Sequence, residues 1–149
     1  MKKRFSLVFK YDLTLAERTE KWDFYKKTTL ENTEKLVWND PSSLKDIGQT
    51  YFKHIKDTES LKKAIFWVNH SLELNDSYDG NLLQAKLYNK IKDKKKALEY
   101  AKNAKAIANE MGGNLKKLIL LRTKRKIKFL KSSFYDQQPK TIYRKYSKL

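Results

Sequence analysis

Few side chains in this sequence are suited to catalysis. His54 and His70 are the two histidines, and they fall on different predicted helices without an acidic or hydroxyl partner at a recognisable spacing. The absence of cysteine excludes a thiolate nucleophile, a disulfide framework and a thiolate metal site. Acidic pairs such as Asp57 with Glu59 fall at predicted loop ends, where carboxylates cap helices. We therefore expect a protein that is not an enzyme and that has no metal site and no cofactor.

Basic side chains outnumber acidic ones, and the excess is concentrated at one end of the chain. The 149 residues include 34 Lys and Arg against 17 Asp and Glu, a formal net charge of +17. From Gly112 to Leu149 the sequence has 12 basic side chains and a single acid, Asp136, so this segment alone has a net charge of +11. The sequence thus predicts a nearly balanced body, 14–111, followed by a basic tail, 112–149.

Length and composition indicate a single folded domain. An apolar fraction of 40% is sufficient for one hydrophobic core in a chain of this size. The basic start of the chain is similar to the head of a signal peptide, but its apolar stretch ends after five residues, and no small-residue cleavage site follows. No stretch approaches the roughly 20 apolar residues that span a bilayer. We expect a cytoplasmic protein.

The composition between the few glycines and prolines is helical. The first helix is predicted from Thr14, where the spacing from Thr14 to Glu17 fits a capping box, to about Trp38, with Leu15 in the core. The Asp40-Pro41 dipeptide is expected to end it. Residues 1–13 are then an N-terminal extension.

Four further helices are predicted along the chain. A second capping box, from Ser43 to Asp46, predicts the start of the next helix, and the Gly112-Gly113 pair predicts a helix C-cap and a hinge before the tail. The predicted helices cover about 43–56, from Leu61 to near Asn75, about 80–91 and about 94–111. We therefore expect an all-α fold of successive antiparallel helices joined by short loops.

An internal repeat relates the second and third predicted helices to the fourth and fifth. Gly48 aligns with Ala85 and Ala64 with Ala97, so the two helix pairs repeat at about 33 to 37 residues. Such periods are typical of helix-turn-helix solenoids, in which neighbouring pairs stack because one pair cannot bury its apolar face alone.

At these residues the chain resembles the tetratricopeptide repeat (TPR) family. Helix A of that family has an apolar, a small and an aromatic residue, and helix B has two small residues flanking a bulkier one. The first repeat, about 42–76, matches with Leu44, Ile47, Gly48, Tyr51, Ala64, Val68 and Ser71. The second, about 78–110, keeps Ala85, Tyr88, Ala97, Ala101 and Ala104, and has Gln84 where leucine is usual. The resemblance implies antiparallel helix pairs stacked as a short superhelix.

A second resemblance covers Trp22 to Lys56, which is similar to the helical repeat region that follows a thioredoxin-like domain in some bacterial envelope proteins. Since the chain has no cysteine, the redox chemistry of such proteins does not carry over. This resemblance implies only an interaction or spacer role.

The TPR resemblance implies protein or peptide binding through a concave groove lined by the A helices. Four lysines and two amides among the groove positions favour an acidic peptide or a carboxylate as the partner. The alternative is that these side chains belong to solvated helix faces. The implied groove residues are Lys45, Gln49, Phe52, Lys53, Leu82, Lys86, Asn89 and Lys90.

The basic tail supports an alternative function. Its first part, about 114–131, is predicted to be a capping helix that covers the open end of the repeats. Its charges favour association with nucleic acid or with an anionic membrane. A solvated tail without a partner, or one that is not the native continuation of the domain, also fits the sequence. The anion-binding candidates are Arg122, Lys124, Arg125, Lys126 and Lys128.

Overall fold

The structure is a computed structural model that describes residues 2–114, and this part of the chain is all-α, with no strand. One compact unit extends to Ala108, and the residues from Asn109 onward belong to a second. The helices are α1 (Lys2–Arg18), α2 (Trp22–Leu36), α3 (Pro41–His54), α4 (Thr58–Leu74), α5 (Tyr78–Lys90) and α6 (94–114).

Successive helices pack against one another as hairpins. The most extensive packing joins α3 to α4, α1 to α2 and α4 to α5, and α3 also packs on α5. Connections of three or four residues between packed neighbours make those neighbours antiparallel. The described residues therefore contain the helix pairs α1/α2 and α3/α4. Helices α5 and α6 form a third pair, in which Tyr88 stacks on Tyr100 with ring centroids 5.5 Å apart.

The single helix predicted over 14–38 is wrong, because the chain turns after Arg18 and forms two helices. Glu20 adopts a left-handed conformation with φ of 53°, which reverses the chain between α1 and α2. Thr14 lies inside α1 and donates its hydroxyl hydrogen to the Lys10 carbonyl oxygen, so it caps no helix. Leu15, expected in the core, is 48% exposed.

Part of the predicted N-terminal extension belongs to α1 and to the core. Phe9, Leu13 and Ala16 recur at helical spacing and are buried against the rest of the bundle. Residues 2–13 therefore contribute to the packed structure through one face of a helix.

The Asp40-Pro41 dipeptide begins α3, although it was predicted to end a helix. The Asp40 carboxylate accepts hydrogen bonds from the Ser43 amide at 3.1 Å and from the Ser43 hydroxyl at 2.7 Å, and Pro41 occupies the first turn. The predicted capping box at Ser43 thus lies three residues inside the helix. Asp57 and Ser77 cap α4 and α5 in the same way.

Gly112 and Gly113 do not form the predicted C-cap, because α6 continues through both of them to the end of the described residues. A glycine that caps a helix usually takes a positive φ, and no described glycine has one. Of the described helices, none combines the length and the apolar composition required to cross a membrane.

The core lies between α3 and α4 and extends to the helices on either side. Trp67 of α4 is fully buried, contacts Tyr51 edge-on with ring centroids 5.5 Å apart, and donates its indole N–H to Glu34 at 3.1 Å. Gly48 of α3 lies against α4 so closely that an added Cβ would overlap Cγ2 of Val68. These contacts fix the spacing of α3 and α4. Helix α3 also forms one wall of two surface clefts, one shared with α1 and one shared with α5.

Candidate functional site

A cleft of about 210 Å³ lies between α3 and α5. It brings together four of the eight groove residues that the TPR resemblance implies: Lys45, Gln49, Leu82 and Lys86. Two carboxylates, those of Asp46 and Asp79, line the same cleft. Neither acid is among the groove residues implied by the resemblance, although each lies within three residues of one of them.

A second cleft, of about 330 Å³, lies between α1 and α3. Its polar lining includes Lys10 and Glu17 from α1, Asp40 at the N-cap of α3 and Asp46 in the second turn of α3. Asp46 lines both clefts, so the two meet at this side chain. We call the two clefts together the trough. The α1 wall of the trough was not predicted from the sequence, although the helical spacing of Phe9, Leu13 and Ala16 could have indicated it.

The trough contains charges of both signs. Lys10 and Asp40 form an ion pair at 2.7 Å, and Glu17 accepts a hydrogen bond from the Thr50 hydroxyl at 2.8 Å. Partial burial raises the pKa of Asp46, and although Lys45 acts in the opposite direction, the carboxylates of Asp40 and Glu17 raise it further. Asp46 therefore lies among charges of both signs, and its partial burial disfavours the ionised form.

Lys90, one of the implied groove residues, is occupied within the fold. Its ammonium donates hydrogen bonds to the carbonyl oxygens of Phe52 at 2.5 Å and Ile55 at 2.8 Å, at the C-terminal end of α3. It also lies 5.4 Å from the centre of the Phe52 ring. Burial lowers the pKa of Lys90, and the neighbouring charge of Lys56 lowers it further. The structure thus places Lys90 as a cap of α3, with Phe52 half-buried beside it.

Lys53 and Asn89 are exposed on α3 and α5, and neither lines the trough. The eight implied groove residues therefore fall into three sets. Four line one cleft, Lys90 packs on Phe52, and Lys53 and Asn89 lie on the open surface. The anion-binding candidates Arg122, Lys124, Arg125, Lys126 and Lys128, and most of the predicted capping helix, lie outside the described residues.

Asp40 lines the trough and also caps α3, so the charge of its carboxyl group contributes to the stability of the fold. This contribution is expected to depend on pH. Burial alone would raise its pKa, but hydrogen bonds from Lys10 and Ser43 lower it to about 2 from its ordinary 3.8. A carboxyl group whose pKa is lower in the folded than in the unfolded state stabilises the fold at pH values above its ordinary pKa. This contribution is lost as the pH falls through the pKa of the folded state. We expect the unmodified chain to lose this contribution between about pH 4 and pH 2, and Asp40→Asn, which can still cap α3, to lack it at every pH.

Urea unfolding followed by circular dichroism at pH 7 and near pH 2.5 measures this effect. At pH 7 Asp40→Asn should be less stable by at most about 1 kcal/mol, and at the acidic pH the difference should shrink. Glu31→Gln, which removes an exposed carboxylate from α2, is the matched control. A difference that persists unchanged at the acidic pH would contradict the role of the Asp40 charge.

Both histidines have packing roles in the structure. The His54 ring stacks on Trp22 and the His70 ring stacks on Trp38, each pair with centroids 3.7 Å apart. Nδ1 of His70 also lies 3.0 Å from the Glu73 carboxylate on the same helix. Within residues 2–114, no group of three or more histidine, cysteine or acidic side chains is placed to hold a metal ion.

Comparisons with known proteins identify no relative of this chain. A scan of protein-family models found no match. Searches of curated proteins and of solved structures likewise found none.

Proposed function

We propose that this chain is a non-catalytic, TPR-like module that binds a protein partner through the trough. The observation that carries the proposal is that the trough crosses the first helices of three successive pairs, α1, α3 and α5, with Asp46 common to its two clefts. In TPR arrays the corresponding helices line the binding surface. The α1/α2 pair adds to the two pairs implied by the sequence and supplies about the number of repeats that a stable array requires.

The charges of the trough favour a partner segment that carries both signs. Lys45 and Lys86 can pair with an acidic group, whereas Asp46 and Asp79 in the same cleft would repel a purely acidic peptide. This pattern refines the acidic partner expected from the sequence. Such complementary charges set the orientation of the bound segment more than they set its affinity.

Charge reversal in the α3–α5 cleft tests the proposal. The full chain, the double variant Lys45→Glu/Lys86→Glu and the control Lys53→Glu are each used to capture proteins, which are identified by mass spectrometry. The identified partner is then titrated against each purified chain. We expect the double variant to weaken binding at least tenfold, because it replaces two attractive charges with repulsive ones. Lys53→Glu should leave binding within about twofold, because Lys53 is exposed on α3 but lines neither cleft.

Circular dichroism confirms that all three chains remain folded before the capture experiment. Equal binding by the double variant and the control would exclude the α3–α5 cleft as the binding surface. Loss of binding in Lys53→Glu alone would instead support binding at the open helix surface that contains Lys53.

A further inference from the structure

Helix α1 has a second apolar face, which is turned to solvent. Phe9, Leu13 and Ala16 pack into the core on one side of the helix. Large apolar side chains occupy the other side, and we call them the outer stripe. They are Leu7 (70% exposed), Val8 (54%), Tyr11 (67%) and Leu15 (48%). Phe5 is also exposed, but it lies four residues before Phe9 and belongs to the edge of the buried face. No other described helix exposes as many large apolar side chains.

The outer stripe is large for a surface without a binding role. Because the largest such side chains have about 150 to 250 Å² of surface, the exposed parts of these four amount to roughly 400 Å². Apolar patches of about 300 to 600 Å² are the largest found on typical monomeric proteins, and they often mark sites of interaction.

Basic side chains continue the outer stripe at both ends. Arg4, Val8, Tyr11, Leu15 and Arg18 follow one another at spacings of three or four residues, so both arginines lie in line with the apolar residues. The sequence of α1 contains five basic and two acidic residues, and the whole chain has a net charge of +17. A partner that fits must be apolar opposite the centre of the stripe and negative opposite its ends.

A second copy of the chain meets only the first of these requirements. An antiparallel pair of α1 helices would bring Arg18 of one copy close to the basic first turn of the other, and like charges at that distance repel. An anionic bilayer surface meets both requirements, because its acyl region accepts apolar side chains while its headgroups attract arginine. Arginine can keep its charged end among the headgroups while its stem contacts the apolar region.

We propose that the outer stripe of α1 docks on an anionic lipid surface, with the helix lying in the plane of the interface. Stable binding of this kind needs two contributions, an apolar one and an electrostatic one, and α1 has both. The trough uses other α1 residues, among them Lys10 and Glu17, so lipid binding and partner binding involve different faces.

Site-specific labelling tests this proposal directly, because the chain has no cysteine of its own. Leu15→Cys carries a polarity-sensitive dye into the outer stripe, and Leu98→Cys places the same dye on α6, where the native leucine is 58% exposed. Each labelled full-length chain is mixed with vesicles of phosphatidylcholine, with or without about one third phosphatidylglycerol. We expect a blue shift of the dye emission only for Leu15→Cys and only with the anionic vesicles. No shift at Leu15, or equal shifts at both positions, would overturn the proposal.

Removal of the apolar residues gives the complementary test. In sedimentation with the same anionic vesicles, the double variant Val8→Ser/Leu15→Ser should bind at least tenfold more weakly than the unmodified full chain. The matched control Phe24→Ser/Leu98→Ser removes exposed apolar groups from α2 and α6 and should bind within about twofold of the unmodified chain. Both variants retain the basic tail.

Unchanged vesicle binding by the Val8/Leu15 variant would overturn the proposal and assign the lipid affinity to charges elsewhere in the chain. Light scattering without vesicles gives a further criterion. A dimer that forms through the outer stripe, in a chain that does not bind anionic vesicles, would also overturn it.

Discussion

Replacing Trp67 with alanine is expected to lower the free energy of unfolding by about 3 to 5 kcal/mol, the range for removal of a large buried aromatic side chain. The Trp67 side chain is fully buried and packs edge-on against Tyr51. Its loss also leaves the Glu34 carboxylate without its indole donor, although Lys63 still pairs with Glu34 at 2.6 Å. Urea unfolding at pH 7, followed by circular dichroism, measures the change.

The neighbouring Phe66→Ala variant is the control for the Trp67 prediction. Phe66 is 48% exposed and contacts Trp38, with ring centroids 5.4 Å apart, at the surface. Since less surface is buried and no cavity forms in the core, we expect a loss of at most about 1 kcal/mol. Similar losses in the two variants would contradict an orientation of α4 that buries Trp67 and exposes Phe66.

Replacing Gly48 with alanine is expected to destabilise the fold, although alanine is the better helix former. Alanine within a helix gains about 0.5 to 1 kcal/mol over glycine. Against this gain, the new Cβ would overlap Cγ2 of Val68, a fully buried and stiff β-branched side chain. Overpacking of a core costs about 1 to 3 kcal/mol, so we expect a net loss of about 1 to 2 kcal/mol in urea unfolding.

Two comparisons isolate the cause of the Gly48 effect. At Gly80, an added Cβ meets the flexible end of Leu72, so Gly80→Ala should change stability by less than about 1 kcal/mol. Val68→Ala removes the clashing methyl groups, so the double variant Gly48→Ala/Val68→Ala should be more stable than the sum of the single changes predicts. Additive losses would show that the α3–α4 contact is not the origin of the effect.

The all-α fold was predictable from the sequence because scarce glycine and proline, together with apolar residues at helical spacing, indicate helices directly. The helix start at Asp40 was not recognised, because an aspartate followed by proline is found both at the end of one helix and at the start of the next. The turn between α1 and α2 depends on a positive φ at Glu20. Glutamate rarely adopts a positive φ, so the sequence does not indicate this turn. The long helix predicted over 14–38 followed from these two errors.

The trough was partly predictable through the TPR resemblance, because the implied groove positions include residues four apart on one helix, which share a face. Lys45 and Gln49 on α3, and Leu82 and Lys86 on α5, follow that spacing and do meet in one cleft. The role of Lys90 was not predictable, since it depends on carbonyl oxygens that lie 35 and 38 residues earlier in the chain. The α1 wall was missed because the first 13 residues were assigned to an extension.

The placement of the three tryptophans means that the chain contains its own fluorescent reporters of unfolding. Trp22 stacks on His54 and thereby reports contact between the start of α2 and the end of α3. Trp38 stacks on His70 and reports contact between the segment after α2 and the middle of α4. Trp67 reports the core. Chains that keep one tryptophan at a time can therefore show whether the α1/α2 pair separates from α3 and α4 before the core opens, or whether the three pairs unfold together as a single cooperative array.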